Sequence, residues 1–511
     1  MDWTAGYVTE IEYLCNYNRV LCPSVLRLVC LSAGLAPPAG EPLRYLELGY
    51  GQGLSLNIHA AACAGEFWGT DFNPSHVAHA RALGEAAGSG VRLLDASFTE
   101  LAARQDLPEF DIVALHGIWS WVSDENRGVI IDLIRRKLRV GGIVYIAYNC
   151  FPGYAPILPL RHLMKLHADL AGNANGIVAK VDGALAFTQQ VIDSGALYFR
   201  RHPAVGEWLK TITAENRSYL AHEYLNEHWG VMTFSDVVRW LDQAKLTFIA
   251  SAQLLDHVEA VNLSVEGQHL LAEIKNPILQ QSVRDYLVDQ HVRRDVFVKG
   301  PQRLSRLEQL DAIRSDAFAL ATHPDDVGMK VRGELGETIL AEQVYRPLID
   351  VLAENDYAPK KVDDLVRHAH LKAIPLGQVL QAILVLVGVG HVRPAQGGTG
   401  AARTNCRALN RHLCERAQSN RDIKWLASPV TGGGVPASRF QQLFLLAMQL
   451  GKKSEAEQAA FAWACLSRQG RRLTKDGKVI ESAGENIAEL TKMADQFATK
   501  RLPVLRALEV V

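Results

Sequence analysis

The chain lacks clustered cysteines, long apolar runs and an excess of charge of either sign. Its eight cysteines are scattered over 511 residues. Disulfide scaffolds and zinc sites need clustered spacing such as C-x-x-C, so we predict reduced, mostly buried thiols and no metal site. The longest apolar run, around Ala382–Val389, falls far short of the ~20 residues that a membrane helix needs. Met1–Thr4 lacks the basic start of a secretory signal, and we expect a soluble, cytoplasmic protein without membrane insertion.

The balance of charges excludes a global electrostatic attraction to nucleic acid. Lys and Arg number 54, and Asp and Glu number 55, so the chain has no strong overall field. The basic cluster of Arg471, Arg472 and Lys475 has no interleaved aromatic residues of the kind found on nucleic-acid surfaces. We therefore predict no nucleic-acid partner.

Short apolar strands alternate with helical stretches from residue 44 onward. This order indicates parallel strands joined by right-handed crossovers, which is a doubly wound, Rossmann-like α/β sheet. The predicted strands are Arg44–Leu48, Glu66–Thr70, Val91–Leu94, Phe110–Leu115 and Ile143–Tyr148, and the predicted helices are Ser55–Ala64, Pro74–Ala87 and Asn126–Leu138.

The later chain is predicted to be mainly helical. We expect a helical insertion at about residues 155–228, after which helix Phe234–Ala244 and strand Leu246–Ala250 complete the sheet near residue 255. A helix–helix–strand order over residues 361–393 is typical of a winged-helix unit, and Pro394–Gly400 indicates a linker. At this length we expect several domains, with limits at 1–255, 256–398 and 399–511. The charge alternation in Arg284-Asp285 and Arg293-Arg294-Asp295 predicts a salt-bridged exposed face.

The strongest motif is the glycine turn Glu47–Gly53, with the pattern E-x-G-x-G-x-G, between the first strand and the first helix. Glycines there let the backbone approach a ligand closely. The spacing differs from the G-x-G-x-x-G of dinucleotide sites, and an acid ahead of the glycines is a poor neighbour for phosphates. Glu47 suits a ligand with a cationic amino-acid end instead.

Acidic residues follow the next two strands. Asp71 ends the second strand about 20 residues after the glycines, where an acid can accept both hydroxyls of a ribose. Asp95 ends the third strand beside an aromatic residue, and could hold an adenine. Together these features predict S-adenosylmethionine as the ligand. The predicted cofactor-binding residues are Glu47, Gly49, Tyr50, Gly51, Gly53, Asp71, Phe72, Asp95, Ala96, Ser97 and His116.

These motifs resemble those of class I S-adenosylmethionine-dependent methyltransferases over residues 40–255, including Leu138–Gly142. Over nearly its full length the chain also resembles the bacterial methyltransferases with an attached regulatory domain, whose best-known members methylate lysines of outer-membrane proteins. The segments that carry this closer resemblance are Gly6–Thr9, Asn16-Tyr17, Leu115–Val122, Tyr148–Tyr154, Tyr219–Asn226, Arg284–Tyr286, Arg293–Phe297 and Leu426–Val430.

The resemblance implies a methyltransferase domain at 1–255, a regulatory domain at 256–398 and methyl transfer to lysine amines. A desolvated, aromatic pocket would favour an unprotonated amine. By their position near the sheet edge or in the N-terminal segment, we predict catalytic roles for His116, Tyr17, Asn149 and Tyr154. Substrate contacts are predicted for Tyr7, Trp119, Trp121, Tyr148 and Glu223. Most of these side chains have structural packing as their alternative role.

Other functions stay open at this point. The chain could methylate a small molecule or a peptide natural product, or bind the cofactor without catalysis and act through its winged-helix-like region. A dehydrogenase is disfavoured by the glycine spacing. For the leading hypothesis, we expect the insertion and C-terminal modules to recruit a polypeptide substrate or a second subunit in a homodimer.

Overall fold

A seven-stranded sheet forms the centre of the computed structural model, which describes residues 3–171 and 176–511. The spatial order is β3-β2-β1-β4-β5-β7-β6. The first five strands pair in parallel, and β7 is antiparallel to both of its neighbours. The predicted doubly wound α/β class is thereby confirmed. The strands are β1 Arg44–Leu48, β2 Glu66–Asp71, β3 Arg92–Asp95, β4 Phe110–Leu115, β5 Leu138–Asn149, β6 Leu246–Ser251 and β7 Val292–Lys299.

The central strands are buried along most of their length because helices cover both faces of the sheet. Every residue of β4 is buried, as are the last four residues of β1. The helices that flank or precede these strands are Pro23–Ser32, Leu54–Ala62, Pro74–Ala87, Phe98–Ala103, Asp124–Lys137 and Phe234–Asp242.

The prediction that the sheet is complete near residue 255 is wrong, because β7 lies beyond that point. The predicted exposed, salt-bridged face is also wrong at β7. Arg293 and Asp295 are buried in this strand, and the Arg293 guanidinium donates through Nε to Asp295 at 2.8 Å and through Nη1 to buried Asp285. Tyr148 of β5 donates its hydroxyl to Asp295 at 2.9 Å. The charge of Arg293 is neutralised by Asp285 and Asp295, which lets this charged group occupy the interior of the sheet.

The helical insertion has its own apolar core, formed by residues such as Leu160, Met164, Leu209 and Leu220. Part of the N-terminal segment, Val8 and Ile11, packs against this core. The insertion therefore stands beside the sheet with the N-terminal segment attached to it. Its helices are Leu158–Leu170, Ile177–Asp193, Leu197–Arg201, Pro203–Thr213 and Arg217–Tyr224.

The C-terminal half is mainly helical, as predicted. The expected helix–helix–strand order is present as helices Val362–Arg367 and Leu376–Val389 followed by strand Val392–Ala395. This strand pairs with the strand Ala317–Leu320. The other helices from residue 259 onward are Glu259–Asn262, Val265–Glu273, Pro277–Leu287, Arg306–Ser315, Glu342–Tyr357, Gly400–Arg416, Arg439–Gln449, Glu455–Ser467, Ala483–Gln496 and Leu502–Ala507.

The last region packs against the α/β sheet rather than standing apart. Leu54 and Ile58, from the helix after the glycine turn, share a core with Leu409 and Leu413. The limits of the three regions stay a prediction. All eight cysteines are free thiols and seven are buried, which confirms the prediction of mostly buried thiols. Among the described residues, we find no helix with the length and apolar character needed to cross a membrane.

Candidate cofactor and acceptor site

The glycine turn lies where β1 meets the following helix, and its backbone is one that glycine favours. Gly49 and Gly51 have φ values of +67° and +57°. A side chain at Gly49 would also collide with Ile118, whereas the space beside Gly51 is open. The turn is held from β2, because the Gly51 amide donates to Asp71 Oδ2 at 2.8 Å. The backbone is thus exposed to a cavity that a β-carbon at Gly51 would enter.

A cavity of about 370 Å³ begins at this turn and extends along the carboxyl edge of the sheet. Its size is within the range of small-molecule sites, roughly 300–1,000 Å³. The N-terminal segment and the helical insertion form its other walls. Most of the predicted site residues line it, namely Tyr7, Glu47, Gly49, Tyr50, Gly51, Gly53, Asp71, Phe72, Ala96, Ser97, His116, Trp121, Asn149, Tyr154 and Glu223.

Glu47 is a buried acid at the floor of this cavity. It is 4% exposed, and burial, with help from the nearby charge of Asp71, raises its pKa to about 8. The hydroxyl of Tyr45 approaches its carboxylate at 3.5 Å. A cationic group bound next to this buried carboxyl, which has little hydrogen bonding of its own, would favour the charged form of Glu47.

Asp71 ends β2 with both oxygens directed to backbone amides. Oδ2 accepts from Gly51, and Oδ1 accepts from Asn73 at 2.9 Å and lies 3.4 Å from His76 Nδ1. The following helix is capped by the side chain of Asn73, so Asp71 is not needed as its cap. A carboxylate has about four acceptor positions, so Asp71 keeps capacity for hydroxyl donors.

The far end of the cavity is lined by aromatic side chains around one acid, Glu223. Burial raises the pKa of Glu223 to about 7, although the charge of Arg161 opposes this shift. In residues 3–171 and 176–511, no hydrogen bond or ion pair reaches its carboxylate. The rings of Tyr7 and Tyr13 both pack against the imidazole of His222, with ring centroids 5.4 and 4.9 Å from it. Trp121 stacks on Trp229 at 6.1 Å.

His116 directly follows β4 and Asn149 ends β5, and both line the cavity. His116 Nδ1 shares a 2.8 Å hydrogen bond with the Tyr145 hydroxyl, and burial lowers the pKa of the imidazole to about 3, so the ring is neutral at physiological pH. The amide nitrogen of the Asn149 side chain is buried without a hydrogen-bond partner in the described chain.

Four predicted site residues do not line the cavity. The Tyr17 hydroxyl bonds to His59 Nε2 at 3.1 Å, and its ring packs on Trp425 of the C-terminal region. Trp119 is fully buried against Trp240, and Tyr148 points to Asp295. Asp95 is exposed at the end of an edge strand. Tyr17, Trp119 and Tyr148 therefore contact other parts of the protein interior, and packing rather than ligand contact explains their aromatic side chains.

Known proteins resemble this chain in sequence and in fold. Family models match at residues 46–142, described as a methyltransferase domain, and at residues 216–299, described as a predicted methyltransferase regulatory domain. The uncharacterized protein sll1526 of Synechocystis is 37% identical over 515 residues, covering all of both chains. The protein RP789 of Rickettsia prowazekii is 22% identical over 311 residues, covering 60% of this chain and 55% of its own.

Among solved structures, PKMT2 from Rickettsia typhi in complex with AdoHcy has a TM-score of 0.68 at 16% identity, covering 98% of this chain and 99% of its own. At that identity the match shows a shared fold. The chain belongs to the class I S-adenosylmethionine-dependent methyltransferases. It also carries a methyltransferase regulatory domain, and the segment matched as that domain, residues 216–299, contains Glu223 and β7.

The cavity of this methyltransferase fits its cofactor, S-adenosylmethionine. The open space at Gly51 admits a ligand against the backbone, and buried Glu47 offers a charge partner to the ammonium group of the cofactor. Asp71 is at the position expected for the ribose. We propose Glu47, Gly49, Gly51 and Asp71 as its principal contacts, with Phe72, Ala96 and Ser97 near the adenosine end.

Sequence reasoning missed part of the lining. The additional residues are Trp3, Thr4, Ala5, Leu14, Asn16, Asn18, Gln52, Leu54, Ser55, His76, Phe98, Gly117, Ile118, Val122, Asn126, Tyr219, His222, Asn226 and Val292. Tyr13, in the same N-terminal segment as Tyr7, also lines the cavity. Some of these residues, such as His222 beside Glu223, are next to a predicted residue in the sequence, and this position could have indicated that they line the cavity. Those of the N-terminal segment depend on tertiary packing.

Proposed function

We propose that this methyltransferase modifies the side-chain amines of lysine residues in proteins. The observation that carries the proposal is Glu223, an acid whose carboxylate makes no ion pair or hydrogen bond in the described chain, set among aromatic rings at the end of the cofactor cavity. A lysine ammonium is the complementary group, because it brings one positive charge on a narrow apolar stem. The resemblance to protein-lysine methyltransferases points in the same direction.

The residues of the acceptor end can supply what an amine acceptor needs. A free lysine has a pKa of about 10.4, and it reacts only after losing a proton. Burial of the ammonium lowers that pKa, and Glu223, with a pKa of about 7, can hold the released proton on its carboxylate. Asn149 lines the same cavity, and its side-chain oxygen can accept an N–H of the amine, which leaves the nitrogen lone pair for the methyl group. The bound cofactor supplies the methyl group on a sulfonium with a good leaving group, so positioning provides much of the catalysis.

Aromatic walls also suit the product, because a methylated ammonium keeps its charge. The rings of Tyr7, Tyr13 and Trp121 lie at the same cavity, and cations are attracted to such faces by about 0.5–2 kcal/mol. Burial raises the pKa of Tyr7 and Tyr13 further above their ordinary value, with the charge of Glu223 adding to the shift. Both hydroxyls therefore stay protonated and uncharged.

The acceptor class can be tested with a cell lysate and cofactor carrying a labelled methyl group. We expect label in protein, recovered as methyl-lysine after acid hydrolysis. A lysate whose amines have been blocked by acetylation should take up little label. Label in low-mass material, or in another amino acid, would show that the acceptor is a different class of molecule.

The role of Glu223 can be tested separately with Glu223→Gln. We expect the methylation rate to fall by roughly 10²–10⁴-fold, as for other proton acceptors, with little change in affinity for S-adenosylhomocysteine. In the native protein kcat/KM should fall below pH 7, where Glu223 takes up a proton, and this dependence should disappear in the variant. Glu215→Gln removes an exposed acid of the same insertion, and should behave like the native protein. An unchanged rate and pH profile in Glu223→Gln would exclude the proposed role.

A further inference from the structure

A second cavity contains a buried arginine without a partner. Arg393, on strand Val392–Ala395, is 6% exposed and lines a cavity of about 180 Å³. Throughout the described ranges 3–171 and 176–511, its guanidinium makes no hydrogen bond and no ion pair, and its Nε is fully buried. Such a group is costly, because a buried charge normally requires a counter-charge and hydrogen bonds.

A second arginine lies beside it. Arg19 follows the N-terminal segment and donates through Nη2 to the carbonyl of Gly388. A side chain at Gly390 would collide with Nη1 of Arg19 and crowd Nη1 of Arg393, which shows that both guanidinium groups face this point. Burial and the charge of Arg393 lower the pKa of Arg19 to about 10. The two cations therefore repel one another in a partly dehydrated space.

The acids that line this cavity do not neutralise the pair. Asp256 accepts from the Ser251 hydroxyl at 2.6 Å and lies 3.7 Å from Arg284. Glu334 and Arg332 are exposed at the cavity. No carboxylate of the described chain lies within ion-pair distance of Arg19 or Arg393. The cavity thus has two neighbouring guanidinium groups, and the described chain supplies no negative charge to neutralise them.

We propose that this cavity binds a phosphate-type oxyanion between Arg19 and Arg393. Guanidinium groups match the geometry of phosphate oxygens with paired hydrogen bonds. At about 180 Å³ the space is below the usual 300–1,000 Å³ of sites for larger organic ligands. The ligand is therefore inorganic phosphate or the phosphate group of a small metabolite.

The position of the site suggests its purpose. The cavity is lined by Arg19 from the N-terminal side, by residues 252–256 after β6, and by Gly388 and Arg393 from the C-terminal half. Asn16 and Asn18, directly before Arg19, line the cofactor cavity. A bound oxyanion would hold the wall of the cofactor cavity against the C-terminal half.

Binding can be measured by calorimetry of the full-length protein in phosphate-free buffer. We expect saturable binding of inorganic phosphate and a rise in the unfolding temperature that potassium chloride at equal ionic strength does not produce. Arg393→Gln and Arg19→Gln should each weaken binding by roughly 10–100-fold. Arg19 is only partly buried, so its variant remains informative if the Arg393 variant does not fold. Arg27→Gln removes an exposed arginine paired with Asp316, and should bind phosphate normally.

Two further arms identify the source of the phosphate group. Glycerol phosphate that binds more tightly than inorganic phosphate, with the same dependence on Arg19, would identify a small phosphate ester as the ligand. Tighter binding of inorganic phosphate would identify the free ion. Absence of saturable binding in both arms, or binding that both arginine variants retain, would overturn the proposal.

Discussion

At the scale of residues, two acids mark the two ends of the main cavity, of which Glu47 is buried and Glu223 is partly buried. Glu47 and Glu223 both have a pKa raised by burial, to about 8 and about 7. Glu47 lies beside the glycine turn, and Glu223 lies among the aromatic rings of the insertion and the N-terminal segment. One cavity therefore offers separate partners for two cationic groups, the ammonium of the cofactor and the ammonium of an acceptor.

The raised pKa of Glu47 predicts that cofactor binding depends on pH. Below pH 8 the free protein carries a proton on Glu47, and this proton must leave before the carboxylate can pair with the ammonium of S-adenosylhomocysteine. Affinity should therefore rise by up to about tenfold per pH unit between pH 6 and 8, with release of a proton. Calorimetry in buffers of different ionisation enthalpy measures both quantities.

Two variants assign this pH dependence to its residue. Glu47→Gln should bind the ligand more weakly at pH 8 and show a nearly flat profile. Glu223→Gln leaves Glu47 in place and should keep the slope. A slope that persists in Glu47→Gln would mean that another group of the cavity releases the proton.

At the scale of elements, the sequence predicts strands well where burial and apolar character coincide. β1 and β4 have the predicted limits because each is a run of buried apolar residues interrupted by a single buried acid, Glu47 or Asp111. β7 escapes prediction because Arg293-Arg294-Asp295 has the composition of a surface. Its burial depends on Asp285, on the helix that precedes the strand, and on Tyr148, which is distant in sequence. Ion pairing of this kind depends on the tertiary structure, so the local sequence pattern of β7 does not predict it.

The buried network at β7 predicts a large effect of Asp295→Ala on stability. This change leaves Arg293 with fewer counter-charges in the interior and removes the acceptor of the Tyr148 hydroxyl. Breaking a buried pair from one side costs about 3–5 kcal/mol, which denaturant unfolding can measure. Asp132→Ala is a matched control, since Asp132 also pairs with two arginines but is 44% exposed, and its loss should cost less than about 1 kcal/mol. Equal effects would mean that the network contributes no more than a surface pair.

At the scale of the whole molecule, the cofactor cavity combines parts that differ in how far sequence predicts them. Glu47, Asp71 and Ser97 follow from the rule that ligands bind at the carboxyl edge of a parallel sheet. Tyr13, His222 and Asn18 come from the N-terminal segment and the insertion, whose positions depend on packing against distant parts of the chain. The position of Tyr17 also depends on such packing. Its neighbours Asn16 and Asn18 line the cofactor cavity, whereas Tyr17 itself packs on Trp425.

This shared segment predicts that the two cavities are coupled. Phosphate bound between Arg19 and Arg393 would restrict the segment that carries Asn16 and Asn18, so less ordering would remain when the cofactor binds. We expect saturating phosphate to raise the affinity for S-adenosylhomocysteine by about 5-fold or more, and the ligand to raise the affinity for phosphate by the same factor, because coupling between binding sites is reciprocal. Titration of each ligand in the presence of the other measures both factors. Arg19→Gln should abolish the coupling and retain cofactor binding. Phosphate that lowers the affinity would instead indicate competition within the cofactor cavity, and equal affinities with and without phosphate would show that the two cavities act independently.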